Sequence, residues 1–336
     1  MPATGPEALL IPDLAFEDDA LERAAAGAAT LLIHRAARAE DVPAGDWSAA
    51  DAVVAYHRLR YDAALAEKLA RCRILVRAGV GTDNVDLAAF GARGIAVANV
   101  PDYGTGEVAD HTIALMLALT RGIVEFHRGI AADPVTGWDW RRWPAPVRRL
   151  RGQRLLIVGY GAIGRAVAHR AKAFEMSVGG YDPVAKIEDG VVAYDTLEAG
   201  LAAADIVSLH AMLTPESLGL IDARRIAAMK PGALLINTAR GGLVDLDALT
   251  EALRNGRIGA AALDVLPDEP PAHPLFRALS EDADWLRGRL VVTPHAAFLS
   301  ADATAEMRRK AVENALAYLR TGELWHCVNA AFLKSR

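Results

Sequence analysis

Two kinds of segment in this 336-residue chain hold residues with chemical uses beyond packing. The first is an apolar run followed by spaced glycines, Leu155-Leu156-Ile157-Val158-Gly159-Tyr160-Gly161-Ala162-Ile163-Gly164, then Arg165 to Phe174 with helical spacing. A GxGxxG turn between strand and helix suits a pyrophosphate. Gly159 permits the tight turn, Gly161 lets backbone approach the anion, Gly164 lets helix pack closely on strand, and the helix N-terminus offers unbonded N–H groups. Alone, the pattern also fits a glycine turn in an unrelated α/β protein. Asp182, 18 residues beyond Gly164 at the end of the next strand, adds an acceptor for the hydroxyls of an adenosine ribose. A carboxylate there repels the 2′-phosphate of NADP, and Tyr181-Asp182-Pro183-Val184 contains no base, so NAD is the expected cofactor.

The second kind consists of three later segments, each placing a polar residue just past a strand. They are Ile236-Asn237-Thr238-Ala239-Arg240-Gly241-Gly242, Ala262-Leu263-Asp264-Val265 leading to Asp268-Glu269-Pro270, and Val292-Thr293-Pro294-His295-Ala296-Ala297-Phe298. Open α/β sheets bind ligands at the carboxyl ends of their strands, and an arginine, an acid and a histidine are the types that hold anions and move protons. Each also has an ordinary reading: Arg240 in a surface ion pair, Glu269 as a solvated loop acid, His295 as a satisfied structural histidine.

The elements that must position these residues follow from the pattern of apolar runs. The length suits two domains, and 52% hydrophobic with 24% charged residues describes a chain able to bury a large core. A net charge of -5 gives no broad cationic surface, so nucleic acid is not an expected partner. Cys72 and Cys327 are too few and too far apart for a disulfide framework or a paired metal site, so no metal is expected and a reducing cytoplasm fits. The early run Ala8 to Ile11 has no basic region before it and is too short for a signal or a membrane span. Short apolar runs at Ala8 to Ile11, Thr30 to Ile33, Ala52 to Ala55, Ile74 to Ala78 and Ile95 to Asn99 alternate with segments of helical length, the signature of βα units on a mostly parallel sheet. A helix is expected from Thr105 to about His127, then a connecting segment, Ala131 to Gly152, rich in Pro, Arg and Trp (Trp138, Trp140, Trp143), whose tryptophans fit either local packing or a dimer contact. A second series follows at Leu155 to Val158, Met176 to Tyr181, Ile206 to His210, Ala233 to Asn237, Gly259 to Asp264 and Leu290 to Thr293, before a helix from about Ala301 to Arg320 and a tail, Leu324 to Leu333, expected to return to the first domain.

Taken together, the order and spacing of these motifs resemble the D-2-hydroxyacid dehydrogenase family over nearly the whole chain. Arg77-Ala78-Gly79-Val80-Gly81-Thr82-Asp83-Asn84-Val85-Asp86, Asn99-Val100-Pro101 and Thr293-Pro294-His295-Ala296-Ala297 are similar to the branch containing the C-terminal-binding proteins. The resemblance implies an α/β fold of two Rossmann-like or flavodoxin-like domains with parallel sheets. An NAD domain (105–298) is inserted into a discontinuous substrate domain (1–104 with 299–336). It implies that Arg240 binds the keto oxygen and carboxylate, that Glu269 pairs with the histidine, and that His295 donates and accepts the proton. It implies that Arg77 and the backbone of Val80 and Gly81 hold the substrate carboxylate. The residue types of Val80, Tyr103 and Phe298 suggest a partly apolar pocket, suited to a carbon side chain. It places NAD on Gly159, Gly161, Ala162, Ile163, Gly164, Asp182, Thr238, Ala239 and Asp264, the last near the nicotinamide carboxamide. The implied protein is a cytoplasmic, homodimeric 2-keto acid reductase with a small-molecule substrate and no nucleic-acid or membrane partner.

Departures from the family pattern are local. The chain reads His210-Ala211-Met212 where proline is common two residues after the histidine, Gly106 stands where an acid is common, and Phe298 replaces glycine or tryptophan. Two alternatives share the fold: an NAD(H)-sensing regulatory module like the C-terminal-binding proteins, and a phosphite or formate dehydrogenase.

Overall fold

The computed structural model describes residues 7–142, 147–188 and 190–333. The chain divides into two compact units, Met1–Gly104 with Ser300–Arg336, and Thr105–Leu299 inserted between them. In the first unit the early apolar runs become β1 (Ala8–Ile11), β2 (Thr30–Ile33), β3 (Ala52–Ala55), β4 (Ile74–Arg77) and β5 (Ala96–Asn99). They form a parallel sheet in the order β2-β1-β3-β4-β5. Its central strands are covered on both faces, which is why they read as unbroken apolar runs and not as alternating ones.

The helix Ala301–Thr321 lies on β3 and β4. Ser300 caps its start by accepting from the Ala303 N–H at 2.9 Å, and Gly322, at φ 75, ends it. Arg308 on this helix is buried and donates from Nε and Nη2 to the buried carboxylate of Glu22 at 2.7 and 2.6 Å. Hydrogen bonding to Glu22 outweighs burial and raises the Arg308 pKa, so the guanidinium stays charged. The tail then runs back along β5. The Val328 N–H donates to the Val97 carbonyl at 2.8 Å, and the buried Asn329 side chain accepts from the Val97 N–H at 2.8 Å and donates to the Ile95 carbonyl at 3.0 Å.

The second unit holds β6 (Arg154–Val158), β7 (Ser177–Tyr181), β8 (Val192–Ala193), β9 (Ile206–Leu209), β10 (Ala233–Asn237), β11 (Ile258–Leu263) and β12 (Leu290–Val292). The order is β12-β11-β10-β9-β6-β7-β8, all parallel. The chain runs outward from β6 to β8 and then crosses back to β9, so its direction reverses between β6 and β9.

Three sequence expectations change here. The helix expected from Thr105 to about His127 is two helices, Thr105–Arg121 and Ile123–Ala132, divided at Gly122, which sits at φ 65. The connecting segment contains a short helix, Pro134–Gly137, capped by the Asp133 carboxylate at 2.9 Å from the Val135 N–H, and a 3-10 turn, Trp140–Arg142. Trp138 and Trp140 are exposed, so neither packs locally, while Trp143 lies outside the described residues. The two-residue edge strand β8 had no apolar run to announce it. Among the described residues no helix is long and apolar enough to cross a membrane, and no cluster of three or more His, Cys, Asp or Glu could hold a metal.

Candidate active site

The glycine turn stands at the reversal between β6 and β9. Gly159 adopts φ 92, and a Cβ there would lie 2.4 Å from the Ala211 amide nitrogen and 2.5 Å from the His210 carbonyl carbon, so the chain leaving β9 admits only glycine. A Cβ on Gly164 would lie 2.3 Å from the Gly159 carbonyl oxygen, which is the close helix-on-strand packing the motif requires. Gly161 differs from both: a Cβ there would meet nothing within 4 Å. It is the N-cap of the 12-residue helix Ala162–Ala173 and supplies no side-chain cap. The first N–H groups of that helix, with the positive end of its dipole, therefore border open space, and the residues present fit a dinucleotide pyrophosphate.

Asp182 follows β7. Its Oδ2 accepts from the Tyr160 N–H at 2.7 Å, and its Oδ1 accepts from the Val184 and Ala185 N–H groups at 2.9 and 2.8 Å. Burial raises this carboxyl, but the three backbone donors and Arg165 outweigh it and hold it below the usual range, so it is anionic. Asp182 thus fixes the loop beside the glycine turn, with lone-pair capacity left for a hydroxyl. Two bases stand nearby that a reading of residues 181–184 misses. The Arg165 guanidinium sits 5.1 Å from the Tyr160 ring centre and donates to the Lys186 carbonyl at 3.3 Å. His210, after β9, is bonded to Ser208 Oγ at 2.8 Å, and burial pushes its pKa down to about 3, so it is neutral.

The three polar residues past β10, β11 and β12 are positioned by their own backbones. Asn237, fully buried at the end of β10, donates to the Arg240 carbonyl at 2.8 Å and accepts from the Ala239 N–H at 3.0 Å. This closes Thr238-Ala239-Arg240 into a tight turn, and Arg240 Nη1 donates to the Ala239 carbonyl at 2.7 Å. Asp264, 1% exposed at the end of β11, accepts at Oδ1 from Thr293 Oγ1 (2.5 Å) and the Ala296 N–H (2.9 Å), and at Oδ2 from the Ala297 N–H (3.0 Å). Its carbonyl also accepts from the His295 N–H at 2.7 Å. His295 has φ 52, in the left-handed region that costs a residue with a Cβ about 1–3 kcal/mol, and these bonds hold it there.

Held in this way, His295 directs Nδ1 at Glu269 Oε2, 2.8 Å away, while Glu269 Oε1 accepts from the Leu266 N–H at 3.0 Å. Both side chains are 39% exposed. Burial raises the Glu269 carboxyl, but the His295 and Leu266 hydrogen bonds and the charges of His295 and Arg240 outweigh it, keeping the carboxyl below its ordinary range. Glu269 is therefore ionised wherever an imidazole can change charge.

In the first unit, Arg77 ends β4 and donates from Nη1 to the Ala78 carbonyl at 2.8 Å. The following loop is held by Asn99, which donates to the Val80 carbonyl at 2.6 Å, and by the Val100 N–H, which donates to Gly79 at 3.1 Å. Val80 is exposed, Gly81 half-buried and Tyr103 buried, while Phe298 of the second unit is half-buried. Sequence reading gave no role to Asn237 or Thr293. Both stand inside the quoted motifs, so their place next to Arg240 and His295 was the available signal.

The model of the D-isomer specific 2-hydroxyacid dehydrogenase, NAD binding domain, matches residues 113–297. The chain is 38% identical over 259 residues to glycerate dehydrogenase of Methylorubrum extorquens, covering 75% of this chain and 78% of that protein. It spans less than half the length of the D-3-phosphoglycerate dehydrogenases it also matches. Two solved structures resemble it closely. The D-lactate dehydrogenase of Aquifex aeolicus, complexed with NAD and lactic acid, is 28% identical with a TM-score of 0.80, covering 93% of this chain and 95% of that one. The NADPH-dependent glyoxylate/hydroxypyruvate reductase of Sinorhizobium meliloti, complexed with NADP and malonate, is 27% identical with a TM-score of 0.85, covering 99% of each chain.

Proposed function

The chain belongs to the D-isomer-specific 2-hydroxyacid dehydrogenase family, and we propose that it interconverts a small 2-keto acid and the corresponding D-2-hydroxy acid, with His295 as proton donor and acceptor. The observation that carries this reading is the His295–Glu269 pair at 2.8 Å, with Arg240 close enough to add to the depression of the Glu269 carboxyl. A nicotinamide, when bound, would supply or accept the hydride. With Nδ1 engaged by Glu269, His295 presents Nε2 to the substrate oxygen, giving its proton as the carbonyl becomes an alcohol and taking it back in oxidation. Arg240 is the fixed cation for the substrate carboxylate and the developing alkoxide. Arg77, with the backbone of Val80 and Gly81, is proposed to hold the carboxylate as well. Relatives named for glycerate, lactate and glyoxylate or hydroxypyruvate favour a short keto acid.

The test follows NADH consumption with 2-keto acids from glyoxylate through pyruvate and hydroxypyruvate to branched and aromatic members. Wild type should turn over at least one short member rapidly. His295→Asn should lower kcat by about 10² to 10⁴, and Arg240→Ala should abolish turnover, with NADH affinity nearly unchanged in both. Tight NADH binding without turnover of any keto acid, or an Arg240→Ala enzyme with normal kcat, would overturn the reading.

A further inference from the structure

Two adjacent residues of the Thr105–Arg121 helix, His111 and Thr112, each reach one of the two strand-end turns on which the proposed chemistry depends. His111 Nε2 lies 3.0 Å from Thr293 Oγ1 and 3.6 Å from Asp264 Oδ1. Thr112, fully buried, has its Oγ1 2.9 Å from Thr238 Oγ1. Thr293 belongs to the turn that carries His295, Asp264 holds that turn from the end of β11, and Thr238 belongs to the turn that carries Arg240.

Proton bookkeeping gives these contacts a direction. A hydroxyl has one hydrogen to donate. Thr293 gives its hydrogen to Asp264 Oδ1, so at His111 it can only accept, and His111 Nε2 must carry the hydrogen. Thr112 gives its hydrogen to the Val108 carbonyl at 2.7 Å, so Thr238 must donate to Thr112. One chain of bonds thus runs from His111 through Thr293 and Asp264 to the amides of Ala296 and Ala297, while the Asp264 carbonyl holds the His295 amide. A second runs from Thr112 through Thr238 into the turn closed by Asn237. The two chains start from neighbouring positions on one helix, whereas β10 and β12 are separated in the sheet by β11.

We infer that His111 and Thr112 are positioning residues that hold the Arg240 and His295 turns at a fixed separation, using the Thr105–Arg121 helix as a common brace. Neither touches the reacting atoms. This rests on the roles given to Arg240 and His295 above. The brace has a physical purpose because His295 occupies a left-handed backbone conformation, which relaxes unless its neighbours restrain it, and a misplacement of about 1 Å in such a site costs about 10²-fold in rate.

The experiment compares His111→Leu with His111→Gln, whose amide N–H reaches the same place as the imidazole Nε2–H, and Thr112→Val with Thr112→Ser. Turnover with the best keto acid, KM, the NADH dissociation constant and Tm are measured for each, with His295→Asn alongside. The brace predicts that His111→Leu and Thr112→Val lower kcat by about 10-fold or more, with Tm close to wild type and any loss of NADH affinity smaller than the loss of kcat. His111→Gln and Thr112→Ser should recover most of the loss. If His111→Leu does not fold, the pair at 112, whose valine has the shape of threonine and whose serine keeps its hydroxyl, decides the question. Wild-type kcat in His111→Leu and Thr112→Val, beside an inactive His295→Asn, removes the brace and leaves the functional reading standing. A fall in kcat matched by equal losses of NADH affinity and Tm, with no recovery in the conservative variants, makes the pair ordinary packing and also removes the brace. Full turnover by His295→Asn overturns the functional reading and the brace together.

Discussion

Both sheets are doubly wound, and each has one place where the chain order reverses: β1 and β3 in the first unit, β6 and β9 in the second. They are finished differently. In the first, Asp13 follows β1 and is fully buried, and its carboxylate accepts from the N–H groups of Tyr56, Arg58 and Leu59 and from the Tyr61 hydroxyl. Burial and the neighbouring Asp13 push the Tyr61 hydroxyl well above its ordinary value, so it remains a donor. The reversal is plugged by one acid that ties β1 to the loop after β3. In the second, glycines occupy the corresponding turn, open space lies beyond Gly161, and the shaping acid, Asp182, stands one strand away after β7. Topology creates a crevice at each reversal, and the side chains decide whether it is filled with protein or left for a ligand.

The sharpest way to break this comparison is at the plug. Asp13→Ala strands four donors, three of them on the buried residues Tyr56, Leu59 and Tyr61, and each buried donor costs about 1–3 kcal/mol without a partner, so the variant should lose about 3 kcal/mol or more in a urea melt. A loss below about 1 kcal/mol would mean that water enters and the reversal is not sealed. At the open reversal the opposite pattern is expected. Gly161→Val should weaken NADH binding by about 100-fold while stability changes by less than about 1 kcal/mol, because the added methyls meet cofactor and not protein. Titration of NADH fluorescence checks this, and wild-type affinity would show that the space beyond Gly161 is unused.

A smaller effect sharpens the role of Asp182. If its charge faces the adenosine ribose, wild type should prefer NAD(H) over NADP(H), and Asp182→Ala should narrow that ratio by about 10-fold through relief of repulsion, with Arg165 left as the nearby cation. An unchanged ratio would confine Asp182 to holding its loop.

A separate prediction is a pH dependence of stability at His210, beside the open reversal. Its pKa is about 3 against an ordinary value of 6.5, so the unfolded chain binds this proton first. Its contribution to stability is therefore fully present above about pH 6.5 and declines as pH falls through the window from 6.5 to 3. His210→Asn should flatten that part of the profile, and wild-type melts unchanged between pH 6.5 and 4 would contradict the half-buried, neutral imidazole.

The strands were legible to within a residue at most ends because a parallel strand covered on both faces must be apolar along its whole length, and that requirement is local. The glycine turn was legible because its three glycines stand together between a strand and a helix, although the backbone that crowds Gly159, at His210 and Ala211, lies far along the chain. The break at Gly122 was not, since a glycine inside a helical pattern is tolerated as often as it divides one, and β8 was too short to register. Asp13 gave no signal, because an acid after a strand looks the same whether it faces water or four donors.

The candidate site divides along the same line. Sequence alone determined that Arg240, Glu269 and His295 each fall just past a strand, because the strands themselves are written in contiguous residues. Only the tertiary structure decided that Glu269 reaches His295 across 26 positions, that Asp264 ties down the turn around His295, and that His111 and Thr112 reach turns 182 and 126 residues away. Those are hydrogen bonds of 2.5 to 3.0 Å. Their existence depends on how sheet and helix are packed, to a precision that apolar periodicity along a chain does not encode.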